Sequence, residues 1–280
     1  MQPSLDLAVS LVVYRPDQAW LQRTLASLQS ALQFAHDQCA FGSARLTLVD
    51  NEAVQATSPH AALLVRIFDA ADRDWLQADL LAGHGNVGYG AGNNLAIERS
   101  PARIHLVINP DVELARESIA TGIAHLAKHA DCAMVTPVAS APDGSPLYLV
   151  KSYPTVLTLL LRGFAPNWLR TCFADRLTRY DRGDLPFDAP LSDARIVSGC
   201  FMLVRGEALR DAKGFDPGYF LYFEDFDLSY RISKAAYIAR VPQCRIVHGG
   251  GGAARKGIAH IGMFARSAWR FFARNGLRII

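Results

Sequence analysis

The chain has 280 residues, half of them hydrophobic, and a net charge of +3. That is ample apolar material for a packed core, and it excludes a disordered chain. The charge is too small to mark a nucleic-acid-binding protein, which carries a concentrated basic field. Cys39, Cys132, Cys172, Cys200 and Cys244 are scattered, without C-x-x-C spacing, and read as reduced thiols of a cytosolic protein. The N-terminus lacks a basic n-region and a cleavage site, so no signal peptide is expected. No stretch approaches the ~20 apolar residues of a membrane span.

In chain order, LAVSLVVY (Leu7 to Tyr14) has the continuous apolar character of a strand covered on both faces. Asp17 is placed to cap a helix from about Gln18 to Leu32, with Leu21, Leu25, Leu28 and Leu32 on one stripe. ARLTLVD is a second strand ending at Asp50, and LLVRIF (Leu63 to Phe68) reads as a third, weaker one. ARIHLVI is a strand stopped by Asn109 and Pro110; a helix from about Arg116 to His129 and the strand CAMVTPV follow. This alternation predicts an α/β fold with a mainly parallel central sheet flanked by helices. Such sheets bind ligands beyond the carboxyl ends of their strands, where Tyr14 and Arg15, Asp50 and Asn51, and Asn109 to Asp111 would share a crevice.

The segment from Ala139 to Ala194 is less regular, with a hairpin turn expected at Pro142 to Gly144 and a flap or acceptor loop after it. ARIVSGCFMLVRGEAL returns to strand and then helix, and YIARVP and CRIVH are expected as short strands. The C-terminal HIGMFARSAWRFFARNGLR reads as an amphipathic helix. Arg266, Arg270, Arg274 and Arg278 form one stripe, opposite Ile261, Phe264, Ala268, Phe271 and Phe272. Its apolar side either packs on the domain or rests on an anionic membrane surface.

Several segments carry candidate chemistry. GHGNVGYGAGNNLAI supplies glycines, among them Gly88, that let backbone approach a ligand, and Asn86, Asn93 and Asn94 near a helix start. It is either a nucleotide or sugar contact or a capped turn. Its Gly-x-Gly-x-Gly run does not follow the first strand, as a dinucleotide fingerprint should. Asp111 is either a hard oxygen ligand for Mg²⁺ or Mn²⁺ bridging phosphates, or a turn cap. Asp50 is a strand-end acid suited to a base imino group or a ribose hydroxyl, or again a cap. His248, before four glycines, is a metal ligand, a phosphate contact or a structural histidine. Glu224, Asp225 and Asp227 lie among Tyr219, Phe220, Tyr222, Phe223 and Phe226, although carboxylates lose hydration near apolar rings. Asp227 is spaced to pair with Arg231.

Seven segments in order, LVDN, GNVGYGAGNN, INPDVEL, VSGCFMLVRGEAL, KGFDPGYF, YFEDFDLSYR and RIVHGGGG, resemble the family 2 glycosyltransferases of GT-A fold, in particular the rhamnosyltransferase-like branch of bacterial surface polysaccharide synthesis. The resemblance runs over nearly the whole chain. It implies a single glycosyltransferase domain over 1–280, with a nucleotide-sugar-binding half (1–138) and an acceptor-binding, catalytic half (139–280). It implies that Asp50 contacts the nucleotide base, that the Asn86 to Asn94 loop lines the donor site, and that Asp111 is the metal-binding acid of a reduced DxD motif with Asn109 in the first acid's place. His248 falls where relatives contact metal or diphosphate, and Asp225 is the general base, with Glu224, Asp227 and Arg231 in support. Arg231 or Arg255 would assist the leaving group.

The implied reaction is an inverting, Mg²⁺- or Mn²⁺-dependent transfer from a nucleotide sugar, dTDP-L-rhamnose by branch, to a glycan or lipid-linked acceptor at the cytoplasmic face of the inner membrane. Peripheral contact through the C-terminal helix would accompany it. The chain departs from the family pattern in having YRPD after the first strand and a single carboxylate in NPD. That single carboxylate leaves a second reading, a catalytically silent sugar-nucleotide-binding or scaffold subunit.

Overall fold

The computed structural model describes residues 5–52, 58–68, 73–250 and 258–280. Four strands open the sheet in parallel: β1 (Leu5–Val13), β2 (Ala44–Asp50), β3 (Leu76–Leu81) and β4 (Ala102–Ile108). They stand side by side as β3-β2-β1-β4, with Val13 opposite Asp50 and Leu11 opposite Ile108. This register brings the ends of β1, β2 and β4 to one sheet edge.

Helix α1 (Gln18–Asp37) buries Leu21, Leu25, Leu28 and Leu32, and Asp17 caps it by accepting from Trp20 N at 3.0 Å. LLVRIF is a helix, α2 (Ala61–Phe68), not a strand. Leu64 and Phe68, one turn apart, are buried while Val65 faces solvent, so the apolar run has helical period. The third strand is instead β3, an edge strand whose alternating polar residues hid it.

The sheet continues through β11 (Phe201–Arg205), antiparallel to both β4 and β6 (Cys132–Ser140), then β12 (Tyr237–His248), parallel to β6, and finally the short β5 (Val112–Leu114). YIARVP and CRIVH are thus one strand, β12, with a register irregularity between Val241 and Arg245. The divide between residues 138 and 139 falls inside β6, and β11 enters between β4 and β6, so both halves build one sheet. Helices α3 (Tyr89–Arg99), α4 (Ser118–Lys128), α8 (Gly206–Asp211) and α9 (Glu224–Ile232) complete the layers on the sheet. The turn at Pro142 to Gly144 joins β6 to β7 (Pro146–Leu147), as expected.

A small two-stranded ladder, β8 (Val150–Lys151) with β10 (Ile196–Val197), carries three short helices between its strands: α5 (Val156–Phe164), α6 (Asn167–Cys172) and α7 (Ala174–Tyr180). The last helix, α10 (Ile258–Asn275), folds back onto α9. Ala268, Phe271 and Phe272 are buried against Tyr219 and Phe223, so the apolar side of α10 packs on the domain. Arg270 and Arg274 both pair with Asp216, and Arg278 lies over the Tyr153 ring at 4.4 Å. Arg270, Arg274 and Arg278 of the stripe thus fasten the C-terminal segment to the domain. All five cysteines are free thiols.

Candidate active site

The turn after β4 is fixed from beneath by α1. Thr24 Oγ1 donates to Pro110 O at 2.8 Å and accepts from Val112 N at 3.1 Å. Asp111 is thereby presented beyond the sheet edge. The antiparallel pairing of β5 and β12 sets His248 opposite Val112, and His248 Nε2 reaches 3.3 Å from Asp111 Oδ1. Gly249 N donates to Asp111 O at 2.8 Å. Gly249 and Gly250 leave room that a side chain would take: a Cβ on Gly249 would strike the Trp20 ring, and one on Gly250 would strike Asp111 Oδ2.

On the other side of Asn109, the junction before β11 reaches α9. Asn109 N donates to Cys200 O at 3.0 Å, and Gly199 N donates to Asp225 Oδ2 at 2.8 Å. Phe226 N donates to Asp225 Oδ1 at 2.9 Å. The Cys200 thiol, pushed up to about 12 mainly by burial, also feels the charges of both Asp111 and Asp225. Asn109, two residues before Asp111, and the acid Asp225 are thus bonded to adjacent residues of one segment, Cys200 and Gly199.

Asp225 is partly exposed, whereas Glu224 is buried with Oε2 unpartnered among the described residues. Burial raises the pKa of both carboxyls, and the Asp225 charge raises Glu224 further, because two adjacent carboxylates resist joint ionisation. Tyr89 O–H, also raised by burial, donates to Gly199 O at 2.7 Å and closes the wall of the pair. Tyr222 and Phe223, immediately before the acids, both take left-handed backbone (φ 70° and 65°), a strained conformation that concentrates at functional sites.

The other expected donor contacts are placed as follows. Tyr14 is exposed at the end of β1. Asp50 is fully buried and accepts from Glu52 N and Ser58 Oγ, which ties those two residues to the end of β2. Asn51 donates to Gly88 O at 3.0 Å and to Asn86 Oδ1 at 3.4 Å, and Asn86 Oδ1 accepts from Gly88 N, so these three hold the glycine-rich loop. Gly88 is a glycine because Phe220 O would sit 2.3 Å from a Cβ there. Asn93 is buried between Ser10 Oγ and Tyr89 O, and Asn94 clamps the backbone of Phe215 through both amide ends. The amides of Asn93 and Asn94 join α3 to the rest of the fold.

Asp227 is buried and receives Arg231 Nε at 2.7 Å, as the spacing predicts, together with Tyr219 O–H and Asn275 Nδ2. The Arg231 fork is also bonded to Ala212 O and Gly214 O. Its guanidinium is thus engaged by Asp227 and two backbone carbonyls. Arg255 lies outside the described residues. Of the five rings around the acids, Tyr219 and Phe223 are buried, Tyr222 and Phe226 pack against the same cluster, and Phe220 alone is 45% exposed. The aromatic row is the seam with α10.

One residue escaped the sequence reading. His84, held between the left-handed Gly83 and Gly85, follows β3, the neighbour of β2. Both its ring nitrogens are buried without a hydrogen-bond partner among the described residues. Burial lowers its pKa against the opposing charge of Asp50. Only the paired glycines signal it in the sequence.

No family model matches the chain. It is 28% identical over 260 residues to the N-acetylglucosaminyl-diphospho-decaprenol L-rhamnosyltransferase of Mycobacterium tuberculosis, covering 86% of this chain and 75% of the relative. It is 27% identical over 185 residues to the rhamnosyltransferase WbbL of Escherichia coli K12, covering 61% and 63%. The fold matches GalNAc-T7, solved with UDP, GalNAc and Mn²⁺, at a TM-score of 0.58 and 14% identity, over 88% of this chain and 44% of that one. It matches S. aureus TarS 1-349 at 0.54 and 12%, over 97% and 73%. The chain is a glycosyltransferase of GT-A fold.

In this glycosyltransferase the Asp111 and His248 pair offers two groups to a divalent cation. No set of three or more acidic, His or Cys ligands occurs among the described residues. The pair fits an ion completed by phosphate oxygens and water: Asp111 Oδ1 is buried without a hydrogen-bond partner and faces an imidazole nitrogen, and the glycines keep side chains out of the space beside it.

Proposed function

We propose that the glycosyltransferase moves L-rhamnose from dTDP-L-rhamnose, with inversion, to a lipid-linked glycan in bacterial surface polysaccharide synthesis. Support for the sugar comes from the names of the curated relatives, and support for the lipid from the decaprenol in one of them. The observation that carries the chemistry is the Gly199–Cys200 segment: Cys200 O accepts from Asn109 N, two residues before Asp111, and Gly199 N donates to Asp225.

Asp225 is the base in this reading. Two backbone N–H donors fix its carboxylate, and its raised pKa makes it a better acceptor for a hydroxyl proton. As the acceptor oxygen forms its bond to the anomeric carbon, its proton passes to Asp225. The bond from that carbon to the diphosphate oxygen breaks on the opposite face, so configuration inverts. A second carboxylic acid is not required, because a nucleoside diphosphate leaves without protonation, unlike the alkoxide released by a glycosidase. Asp111 and His248 would hold Mg²⁺ or Mn²⁺, which when bound offsets the charge growing on the diphosphate. In this reading Tyr14, Asn86 and His84 face the nucleoside end, and the buried Asp50 and Asn51 hold the surrounding chain in place. A neutral His84 has one donor and one acceptor for the imide edge of a pyrimidine.

The test is incubation with dTDP-L-rhamnose or UDP-sugars, a lipid-linked glycan and Mg²⁺ or Mn²⁺, following released nucleoside diphosphate. Release from the dTDP sugar that depends on acceptor supports the reading. Donor binding without turnover on any acceptor contradicts it and favours a silent binding subunit.

A further inference from the structure

The α5 to α7 segment has a surface that the fold does not cover. Leu160 and Phe164, one turn apart on α5, are 52% and 61% exposed, and Trp168, at the start of α6, is 67% exposed. Helix α6 buries none of its residues. Val156 N and Leu157 N donate to Arg278 O and Ile279 O, which lays the exposed Ile279 beside the first turn of α5. Soluble surfaces rarely group large apolar side chains in this way unless something binds there.

Charge distinguishes the occupant. Residues 151–174 contain Lys151, Arg162 and Arg170 and no acid. Lys151 and Arg162 share Asp181 at the inner end of the segment, which anchors it. Arg170 is exposed between Trp168 and the end of α6. Helix α5 buries only Thr158 and Leu161 and turns Leu160 and Phe164 outward, and α6 buries nothing; exposed apolar side chains beside an arginine are what an interfacial segment needs in order to enter an anionic leaflet. The same segment leads directly to the catalytic acid: Val150 pairs with Val197, and Gly199, two residues on, holds Asp225.

We propose that the α5–α6 face is a membrane-docking surface for an anionic bilayer, with Leu160, Phe164 and Trp168 entering the acyl boundary and Arg170 at the headgroups. The inference deepens the lipid-linked acceptor reading and relocates membrane contact away from the amphipathic face of α10, which is already spent inside the protein.

Vesicle flotation tests it with the full chain and without donor or acceptor, so its failure is distinct from failure of the transfer reaction. The wild type should float with phosphatidylglycerol–phosphatidylcholine vesicles and much less with phosphatidylcholine alone. Leu160→Ser/Phe164→Ser/Trp168→Ser should lower that partitioning roughly tenfold or more. Arg170→Glu, a surface change that leaves the apolar side chains in place, should weaken binding to the anionic vesicles by about tenfold and leave neutral vesicles unaffected. Equal flotation of wild type and both variants would overturn the proposal. So would a wild type that ignores anionic vesicles but dimerises through this face, with the triple variant monomeric by light scattering.

Discussion

The amide of Gly199 donates a 2.8 Å hydrogen bond to Oδ2 of Asp225. A Cβ at Gly199 would lie 3.0 Å from Asp225 Cβ and 3.4 Å from the Tyr89 ring. Gly199 therefore sets both the charge environment and the position of the acid, from a segment that also bonds Asn109 on the metal side through Cys200. Gly199→Ala should displace the carboxylate and lower kcat by as much as ~10²-fold, since small misplacements of a reacting group are costly. Donor affinity, measured by calorimetry, should hold.

Asp111→Asn should reduce turnover roughly 10²–10³-fold, the usual effect of losing one group that stabilises developing charge. His248→Ala should act in the same direction. Mn²⁺ titration in the presence of dTDP, followed by electron paramagnetic resonance, checks both. Unchanged metal affinity in both variants would remove the pair from the metal site.

Glu224 is pushed up to about 8 from 4.5, first by burial and then by the Asp225 charge. Between those values the folded protein keeps a proton that the unfolded chain has released, so this group costs stability increasingly as pH rises from about 4.5 to 8. Glu224→Gln keeps the shape and removes the ionisation. It should raise Tm relative to wild type at pH 8, with the gain shrinking toward pH 4.5, in thermal melts across that range.

The parts of the fold that repeat locally were plain in the sequence. The Val-rich β1, the apolar β4, the leucine stripe of α1 and its Asp17 cap all follow from nearest-neighbour chemistry. LLVRIF reads as a strand because in so short a run helical and strand period are hard to tell apart, and because β3 is a half-covered edge strand. The packing of the aromatic row was not legible for a different reason. Phe223 lies 5.1 Å from Phe264 and 5.5 Å from Phe271, contacts to a helix far along the chain that no local pattern announces. Asn93 and Asn94 are similar: their partners, Ser10 and Phe215, are set by tertiary packing. The juxtaposition of Asp111 and His248 was legible as two separate motifs, and the β5–β12 pairing that joins them was not.

Asp216 receives Arg270 at 2.9 Å and Arg274 at 3.1 Å, and Gly218 N as well. Its side chain is mostly hidden, so the hydrogen bonds are charge-assisted and only partly screened. Asp216→Asn should cost about 1–3 kcal/mol in denaturant unfolding and loosen α10 against α9. A loss below a few tenths would show that α10 is held by Phe271 and Phe272 alone.

His84→Ala should raise the donor KM about tenfold, the scale of one lost hydrogen bond to a base, with kcat little changed. A purely structural histidine would instead alter Tm and leave KM alone. Comparing dTDP and UDP affinities in the variant identifies which edge of the base the ring meets.

The convergence of Asp225 and Asp111 on one donor cleft is tested most directly by Asp225→Asn, assayed in parallel for dTDP-sugar binding and for transfer to acceptor. The account predicts donor affinity within a few-fold of wild type, and transfer reduced by about 10²–10⁴-fold, the contribution of a positioned general base. Transfer at the full wild-type rate would contradict it.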